Sequence, residues 1–324
     1  MTGGLSGDLS FAADRLAAAG VPSPRPDAEL LAAHAAGTDR SGLQRLVLMG
    51  AGWPDGAAGW FDVLLAQRVS RVPLQHLTGR APFRGIELAV GPGVFLPRPE
   101  TELLAGAAVA ELRAVQARER RDPVAVDLCT GSGAVALALV DEVPRARVGA
   151  VELDRHAHAW AERNVAAMGG GRVVLHLGDV AAAPDLLADL LGACDVVTAN
   201  PPYIPDAAVP VDPEVAEHDP AVALYGGPDG LRVLRVCVAV AARLLRPGGL
   251  LLLEHAEPQC DGVAAVLARA ADGGPGVTGT DATGRDATGT DATGTDAMGT
   301  GRWTDVHHHD DLTGRPRATS ARLA

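Results

Sequence analysis

Between residues 124 and 254 the chain alternates short, strongly apolar segments with longer segments of helical pattern. The clearest apolar segments are bounded by glycine or polar residues, and they are Val124–Leu128, Val148–Glu152, Val173–Leu177 and Cys194–Ala199. Short segments that are apolar throughout are typical of parallel strands buried on both faces. The alternation therefore predicts an α/β fold on a mostly parallel sheet, which places ligands at the carboxyl ends of its strands.

A glycine-containing turn follows the first of these strands. Its residues are Cys129, Thr130, Gly131, Ser132 and Gly133, and they precede a helix predicted over 134–140. Gly131 and Gly133 let the backbone approach a ligand closely and open the helix. Ala136 occupies the position of the third glycine of a dinucleotide fingerprint, so the turn alone is compatible with several kinds of nucleotide-binding fold.

Acidic residues end or follow the next two strands. Glu152 closes the second strand, where a carboxylate suits the two hydroxyls of a ribose. Asp179, followed by Val180, comes after the third strand, and its carboxylate is a candidate acceptor for an adenine amino group. These strand ends are therefore candidate contacts to a nucleoside.

The fourth strand ends in Asn200-Pro201-Pro202-Tyr203. Two consecutive prolines fix φ twice and remove two donors, so the turn is stiff and its carbonyls stay free. The Asn200 amide oxygen and the Pro201 carbonyl can accept hydrogen bonds from one planar NH2 group, which lies against the flat face of Tyr203. Asn200, Pro201 and Tyr203 are candidate catalytic residues, and all four are candidate substrate contacts, for methyl transfer to a planar nitrogen.

This order of glycines, acid, acid and amide turn resembles the class I S-adenosylmethionine-dependent methyltransferases. A finer resemblance is to the HemK/PrmC family, the N5-glutamine methyltransferases of peptide chain release factors. It covers roughly residues 20 to 270 and the tail. The segments that carry it are Pro73–Gly79, Phe83–Gly85, Gly93–Glu102, His218–Ala221, Leu224–Leu231, Leu253–His255 with Gln259, and Asp311–Arg317.

The resemblance implies a Rossmann-like, seven-stranded sheet with a small N-terminal helical domain. It implies S-adenosyl-L-methionine as methyl donor and a class-1 peptide chain release factor as the protein substrate. The cofactor contacts expected from it are Cys129, Thr130, Gly131, Ser132, Gly133, Glu152, Asp179, Val180 and Asn200. Cys129 stands where many members have glycine, Glu152 replaces aspartate and Asp219 replaces glutamate, but none of these changes removes either site.

Helical spacing divides the first part of the chain into short helices. They are predicted over 11–19, 27–36, 41–49 and 60–69, with Ser41 as an N-cap. The expected domains are a helical domain over 1–72, a hairpin and linker over 73–100, and a methyltransferase domain over 101–324. The resemblance assigns the helical domain to substrate recognition.

Two later segments depart from the alternation. A Pro- and Asp-rich loop from Asn200 to Gly227 is longer than a typical connection, which indicates either a cover for the substrate or a solvated excursion. A repeated pentad begins at 278, 283, 288 and 293 and lacks the apolar residues that offset ordering entropy, which predicts a disordered insertion over 273–302. No metal site is expected at His307–Asp311, because neighbouring strand residues point to opposite faces.

The composition limits the classes of partner and compartment. The net charge is −12 and all 28 basic side chains are arginine, without a clear basic face, so no direct nucleic-acid binding is expected. The four cysteines are dispersed in apolar segments, which favours buried thiols in a reducing cytoplasm over disulfides. The longest apolar runs fall short of about 18 residues, so no membrane contact is expected.

Three alternatives remain open on the sequence. The Asn-Pro-Pro-Tyr turn also suits amino methylation of a nucleic-acid base. A related enzyme would methylate a glutamine of a ribosomal protein. From another class, a nucleotide-binding module without transfer activity explains the glycine turn but leaves the Asn-Pro-Pro-Tyr turn without a role. No general base is assigned, because the amide proton becomes acidic only after transfer.

Overall fold

The computed structural model describes residues 4–271 and 302–324. The pentad repeat lies outside the described residues, as does the insertion predicted over 273–302 except for its last residue. The described residues form two compact units. The smaller contains the described residues up to Ala81 with Val90–Pro92 and Val209–Asp219, and the larger contains the rest.

Five helices of the smaller unit come from the first part of the chain. They are α1 (Gly4–Ala18), α2 (Pro24–Ala35), α3 (Arg40–Leu48), α4 (Ala57–Val69) and α5 (Leu74–Thr78). The helices predicted in the first 70 residues are confirmed, although α1 begins seven residues earlier than predicted. Their core contains Leu9, Leu31 and Phe61, which are fully buried. The N-cap prediction for Ser41 is wrong, because the Asp39 carboxylate accepts the hydrogen bond from the Gly42 amide at 2.6 Å.

A buried ionic network crosses the smaller unit. Arg68 on α4 is only 4% exposed and donates to Asp27 on α2 at 2.8 Å. The same guanidinium donates to Glu214 at 2.8 Å, and Arg71 reaches the same carboxylate oxygen at 2.9 Å. Because a buried charge is costly unless it is paired, this network fixes the segment that carries Glu214 within the smaller unit.

That segment is part of the connection that follows Asn200, which was predicted as a loop to Gly227. The connection is not a continuous loop, since it contains α10 (Pro213–His218) and α11 (Ala221–Leu224). Pro213 occupies the first helical turn, and the Asp212 carboxylate accepts from the Glu214 amide at 3.0 Å. Aspartate followed by proline is a strong helix start, which accounts for a helix in a stretch read only as Pro- and Asp-rich.

The larger unit is a seven-stranded sheet with helices in its connections. Its strands are β3 (Val124–Leu128), β4 (Arg147–Glu152), β5 (Val173–Leu177), β6 (Cys194–Ala199), β7 (Leu245–Glu254), β8 (Trp303–Asp310) and β9 (Pro316–Leu323). Its longer helices are α6 (Thr101–Glu119), α7 (Ala134–Glu142), α8 (Arg155–Met168), α12 (Arg232–Leu244) and α13 (Cys260–Ala271), and α9 (Ala183–Leu186) is short. The order β5-β4-β3-β6-β7-β9-β8 confirms the predicted seven-stranded α/β fold.

The direction of the chain through the sheet determines where a ligand can bind. From β3 the chain moves outward to β4 and β5, then returns to the other side of β3 as β6. The five strands from β3 to β7 run parallel, and β9 pairs antiparallel with both β7 and β8. The strand order therefore reverses between β3 and β6, and such a reversal opens a crevice at the carboxyl ends of the strands.

A two-stranded sheet precedes α6, with strands β1 (Arg80–Phe83) and β2 (Ile86–Ala89). These strands lie within the hairpin and linker predicted over 73–100, and residues 74–78 of that stretch form α5. Asn164 on α8 accepts from the Ala89 amide at 2.8 Å and donates to the Ser132 carbonyl at 2.9 Å. One buried side chain therefore joins β2 to the glycine turn.

β7 begins with an irregular stretch. It starts at Leu245, and residues 246–249 continue the strand through a register shift opposite Cys194 and Val196. Glycine at the shift permits this path, since a Cβ on Gly249 would lie 2.9 Å from the Arg246 carbonyl oxygen. Among the described residues, no helix is both long enough and apolar enough to span a bilayer.

Candidate active site at the carboxyl edge of the sheet

The glycine turn and the Asn-Pro-Pro-Tyr turn leave adjacent strands at the same level. In the parallel ladder between β3 and β6, Leu128 lies opposite Ala199. The next residue of each strand is therefore the first residue of each turn, Cys129 on one side and Asn200 on the other. The structure brings the two predicted sites together at the point where the strand order reverses.

Three residues of the glycine turn adopt positive φ. Gly131 has φ 58° and Gly133 has φ 84°, while Cys129 adopts φ 58° without being glycine. A Cβ on Gly131 would meet no atom within 4 Å, so this side of the turn faces open space. Cys129 holds a conformation that costs roughly 1 kcal/mol for a residue with a Cβ. The turn is therefore shaped for close approach of a ligand to its backbone.

Asp127 at the end of β3 holds the turn from beneath. Its carboxylate accepts from the Thr130 hydroxyl at 2.6 Å and from the Thr198 hydroxyl at 2.7 Å. Burial raises the pKa of Asp127 to about 6, although both hydroxyl bonds act to lower it. Asp127 is therefore a strand-end acid that is tied to the glycine turn through the Thr130 hydroxyl.

Glu152 links the end of β4 to the glycine turn. One carboxylate oxygen accepts from the Gly131 amide and the other from the Asp154 amide, both at 2.8 Å. Burial raises the pKa of the Glu152 carboxyl, and these two amides act in the opposite direction. Each oxygen retains acceptor capacity, so the group fits the hydroxyls of a ribose lying over the turn.

Asp179 and Val180 follow β5 and have different environments. The Asp179 carboxylate is exposed and accepts from the Ala181 amide at 2.8 Å, which caps a short 3-10 helix over Val180–Ala182. The side chain of Val180 is buried in the core of the larger unit. Contacts of Val180 to a ligand would therefore come from its backbone, whereas Asp179 offers its side chain.

The Asn200 amide is oriented by Thr101, which is not among the predicted site residues. Its Nδ2 donates to the hydroxyl of Thr101, at the start of α6, at 3.2 Å. The other end of the Asn200 amide, Oδ1, is therefore turned away from Thr101 and can accept a different hydrogen bond. Pro201 is buried, and within the described residues its carbonyl accepts no backbone hydrogen bond. Tyr203 is half-buried, and burial raises the pKa of its phenol.

Three residues downstream fix the path of the Asn-Pro-Pro-Tyr turn. Gln259 donates from Nε2 to the Tyr203 carbonyl at 2.8 Å. A Cβ on Gly230 would lie 2.1 Å from that same carbonyl oxygen, and one on Gly226 would lie 2.3 Å from the Pro202 carbonyl oxygen. Both positions therefore require glycine, because backbone passes too close for any side chain.

Thr101 and Glu254 lie in the family-like segments of the sequence, but neither is among the predicted site residues. Glu254 ends β7, is 3% exposed, and interacts with the side chains of Thr101 and Asn200, which both act to lower the pKa of its carboxyl. Burial raises the pKa of its carboxyl to about 7. A signal was available, because Glu254 is an acid that closes an apolar strand in the same way as Glu152.

A cluster of possible metal ligands begins at His255, the residue that follows β7. Ligand atoms of His255, Cys260 and His308 lie within 4.8 Å of one another. The Thr319 hydroxyl is 2.7 Å from a ring nitrogen of His255 and 2.9 Å from one of His308. That hydroxyl accounts for the orientation of both rings.

Two family models match the chain. The PrmC N-terminal domain matches residues 9–79, and the methyltransferase small domain matches residues 102–216. The first range contains α2 to α5 and most of α1, and the second contains the strands from β3 to β6. The second range contains the glycine turn, Glu152, Asp179 and the Asn-Pro-Pro-Tyr turn.

Curated relatives match across nearly the whole chain. A release factor glutamine methyltransferase of Mycolicibacterium smegmatis is 47% identical over 317 residues, covering 98% of this chain and 97% of that protein. One from Streptomyces coelicolor is 44% identical over 323 residues, covering 99% and 98%. A 4-amino-L-phenylalanine/4-methylamino-L-phenylalanine methyltransferase of Streptomyces pristinaespiralis is 41% identical over 260 residues, covering 80% and 85%.

Proposed function

The chain belongs to the family of release factor glutamine methyltransferases, and we propose that it methylates a class-1 peptide chain release factor. The methyl group would pass from S-adenosyl-L-methionine to the side-chain amide nitrogen of the glutamine in the Gly-Gly-Gln motif. The alternatives, a ribosomal protein or a nucleic-acid base as acceptor, are not favoured by the names of these relatives. A nucleotide-binding module without transfer activity is also not favoured, because the family consists of methyltransferases.

The orientation of the Asn200 amide carries the proposal. Because Nδ2 donates to Thr101, Oδ1 remains to accept a hydrogen bond from an incoming NH2 group. The Pro201 carbonyl supplies a second acceptor on a turn that two prolines make stiff. A primary amide has two N–H donors on one planar nitrogen, so these two acceptors match its geometry.

The glycine turn and the two acids fit the methyl donor. We propose that Cys129, Thr130, Gly131, Ser132 and Gly133 hold S-adenosyl-L-methionine by their backbone, with Glu152 on the ribose and Asp179 with the Val180 backbone at the adenine. The open space above Gly131 and the acceptor capacity of Glu152 support this assignment. When bound, the donor supplies an electrophilic methyl group on a sulfonium sulfur.

The Asn-Pro-Pro-Tyr turn, which we call the acceptor turn, compensates for the weak nucleophilicity of an amide. Its nitrogen lone pair is delocalised into the carbonyl, so the protein must localise electron density on nitrogen. Hydrogen bonds accepted by Asn200 and the Pro201 carbonyl do this, and they strengthen as positive charge develops on nitrogen. Tyr203 limits the tilt of the amide plane, and the fixed turn contributes orientation. No general base is needed, because the proton becomes acidic only after transfer.

We further propose that residues 1–72 recognise the body of the release factor. The exposed apolar side chains Leu48 and Met49 at the end of α3, 87% and 75% exposed, support a protein contact there. Since release factors act during translation, the proposed location of the enzyme is the cytoplasm.

The experiment that tests this function is methyl transfer from labelled S-adenosyl-L-methionine to a purified class-1 release factor. A release factor with leucine in place of the Gly-Gly-Gln glutamine serves as the matched control. Total RNA, ribosomal protein and 4-amino-L-phenylalanine are offered in parallel reactions. Label on the glutamine of the intact factor, and none on the control factor, is the expected result.

The other outcomes have defined meanings. Label only on RNA or ribosomal protein would keep the donor site and overturn the acceptor. Label only on 4-amino-L-phenylalanine would show that the acceptor turn binds a free arylamine, the substrate in the name of the Streptomyces pristinaespiralis relative. Label on both forms of the factor would place the modification outside the Gly-Gly-Gln motif.

A further inference from the structure

We propose that Glu254 is a positioning residue, and that its carboxylate fixes the Asn200 amide with Oδ1 rather than Nδ2 turned toward the acceptor nitrogen. The inference rests on the proposed function, because it concerns how the acceptor amide is held. It adds a residue that lies behind the acceptor turn and acts through Thr101 and Asn200.

The sheet places Glu254 beside Asn200. In the parallel ladder between β6 and β7, Thr198 lies opposite Leu252 and Ala199 lies opposite Leu253. The same register brings Asn200 level with Glu254 at the carboxyl edge. Glu254 is also held from the other side, since it pairs with Ala318 of β9. Its position is therefore set by the central strands rather than by a loop.

The hydrogen bonds around Glu254 have one possible direction while it is ionised. A carboxylate can only accept, so the Thr101 hydroxyl must donate its single proton to Glu254. The Thr101 oxygen then accepts from Asn200, which requires Nδ2 at that end of the amide. The Asn200 side chain also acts to lower the pKa of the Glu254 carboxyl, and a carboxylate at this end of the amide favours the same orientation.

A reversed Asn200 amide would disable the acceptor turn. Oδ1 would then face a carboxylate, and Nδ2 would face the NH2 group of the incoming amide. Two donors facing each other leave both without a partner, which is costly in a buried site. A neutral side chain in place of the Glu254 carboxylate would let the Thr101 hydroxyl donate to Asn200 and permit the reversal.

The burial of Glu254 is difficult to explain by stability alone. One carboxylate oxygen, Oε2, has no hydrogen-bond partner in the described part of the chain. An ionisable group with an unsatisfied oxygen at 3% exposure destabilises a fold. A residue that costs stability next to the reacting groups is more readily explained by a role in the reaction.

Titration of Glu254 gives the inference a second observable. Its pKa is raised to about 7, chiefly by burial. Glu100 before α6 also raises it, while Arg317 on β9 and the bonds from Thr101 and Asn200 act to lower it. On the acceptor turn, burial raises the pKa of the Tyr203 phenol, and the charge of Glu254 acts in the same direction. When protonated, Glu254 can donate to Thr101, so the direction of the hydrogen bonds is fixed only when the pH is above about 7.

The test compares Glu254→Gln and Glu254→Leu with Glu257→Gln as the matched control. Glu257 lies three residues further on and is exposed. For each variant we would measure kcat and KM for the release factor, kcat from pH 6 to 9, and the Kd for S-adenosyl-L-methionine.

We expect kcat to fall by about tenfold or more in Glu254→Leu and by less in Glu254→Gln, which keeps one acceptor. The release-factor KM and the donor Kd should change little. The fall in kcat as pH drops through about 7 should disappear in both variants and persist in Glu257→Gln. Unchanged kcat in Glu254→Leu, or a wild-type pH profile in Glu254→Gln, would overturn the inference.

A variant at Thr101 keeps the test decisive if Glu254→Leu does not fold. Thr101→Val removes the hydroxyl that relays the orientation, and Thr101→Ser restores it, so kcat should fall in the first and recover in the second. The wild-type protein must first methylate the release factor in the same assay. If it does not, the proposed function fails; if it does and all variants match it, only the role of Glu254 fails.

Discussion

The side-chain amide of Gln259 donates a hydrogen bond to the main-chain carbonyl of Tyr203 at 2.8 Å. The same Nε2 donates to the Asp229 carbonyl at 3.2 Å, and the side-chain oxygen accepts from the Ala256 amide at 2.9 Å. Gln259 is 9% exposed, so each of these bonds satisfies a group that water reaches poorly. One side chain after β7 therefore holds the acceptor turn in place.

Replacing Gln259 with alanine is expected to loosen this turn. Two carbonyls and one amide would lose their partner, which costs about 1–3 kcal/mol of stability for a buried group. We expect kcat on the release factor to fall while the Kd for the methyl donor stays near the wild-type value. Gln259→Glu should be worse than Gln259→Ala, because it places a carboxylate against two carbonyl oxygens. Equal kcat in both variants and the wild type would contradict this role.

Asn200→Ala is expected to retain donor binding and to lose nearly all methyl transfer. The reason is that Oδ1 would no longer accept from the acceptor amide, and one preorganised partner is worth about a hundredfold or more in kcat. Calorimetric titration with the donor and single-turnover transfer measure the two effects separately. Unchanged turnover would rule out the clamp.

The neighbouring Tyr203 provides a graded comparison. Tyr203→Phe keeps the ring face and should retain most of the activity, whereas Tyr203→Ala removes the surface on which the amide lies. A large loss in Tyr203→Phe would instead assign a role to the phenolic hydroxyl. Measurement of kcat for both variants at the same donor saturation distinguishes these cases.

The strands around the site could be predicted closely from the sequence. β3, β5 and β6 have the predicted limits. β3 and β6 are almost fully buried, as expected of strands that are apolar on both faces, whereas β5 lies at the edge of the sheet and leaves Val174 exposed. The residues at their carboxyl ends then converge by the geometry of a parallel sheet. The glycine turn, Glu152 and the Asn-Pro-Pro-Tyr turn are therefore identifiable from the order of residues alone.

The residues behind the turns could not be predicted in the same way. Thr101 is 99 positions from Asn200, and their contact depends on how α6 meets the sheet. Gln259 appeared only within a motif, and its three hydrogen bonds follow from the path of the chain after β7. Long-range side-chain pairing has no local periodicity, so spacing in the sequence carries no sign of it.

Glu152 is expected to control affinity for the methyl donor. Glu152→Ala removes the acceptor proposed for the ribose and frees the Gly131 amide that now donates to it. Loss of hydrogen bonds to a charged group should raise the donor Kd about ten- to a hundredfold. Glu152→Asp should lie between, because the shorter side chain cannot satisfy the Gly131 and Asp154 amides together. Calorimetric titration with the donor measures each Kd.

An exposed residue on the following helix serves as the control for this series. Glu162→Gln on α8 removes a similar charge at the surface and should leave the donor Kd unchanged. A donor Kd for Glu152→Ala that is equal to that of Glu162→Gln would show that the carboxylate does not contact the donor.

In the smaller unit, Arg68 and Arg71 should differ sharply in their contribution to stability. Arg68 is almost fully buried and pairs with Asp27 and Glu214, whereas the Arg71 side chain is 18% exposed. Arg68→Ala leaves Asp27 without its ion-pair partner and leaves Glu214 with Arg71 alone, and it should cost about 3–5 kcal/mol. Arg71→Ala should cost about 1 kcal/mol or less. Urea unfolding of both variants measures the difference, and equal costs would contradict the assigned network.

Glu254 should make the wild-type protein less stable as pH rises. The pKa of its carboxyl is about 7 in the folded state against 4.5 for the free group, so the unfolded chain loses this proton first. Glu254 therefore lowers the free energy of unfolding above pH 4.5, and this loss of stability grows until the pH passes about 7. The full shift corresponds to up to about 3 kcal/mol at roughly 1.4 kcal/mol per pH unit.

Glu254→Gln cannot ionise, so it should escape this loss. Asp127 is also buried with a raised pKa, but it is present in both proteins and cancels in the comparison. Urea unfolding at pH 5 and pH 8 should show the variant gaining stability relative to the wild type at the higher pH. The same variant should have the lower kcat. A variant that is less stable at pH 8 and also less active would indicate that Glu254 supports the fold, and would remove the reason to assign it to the reaction.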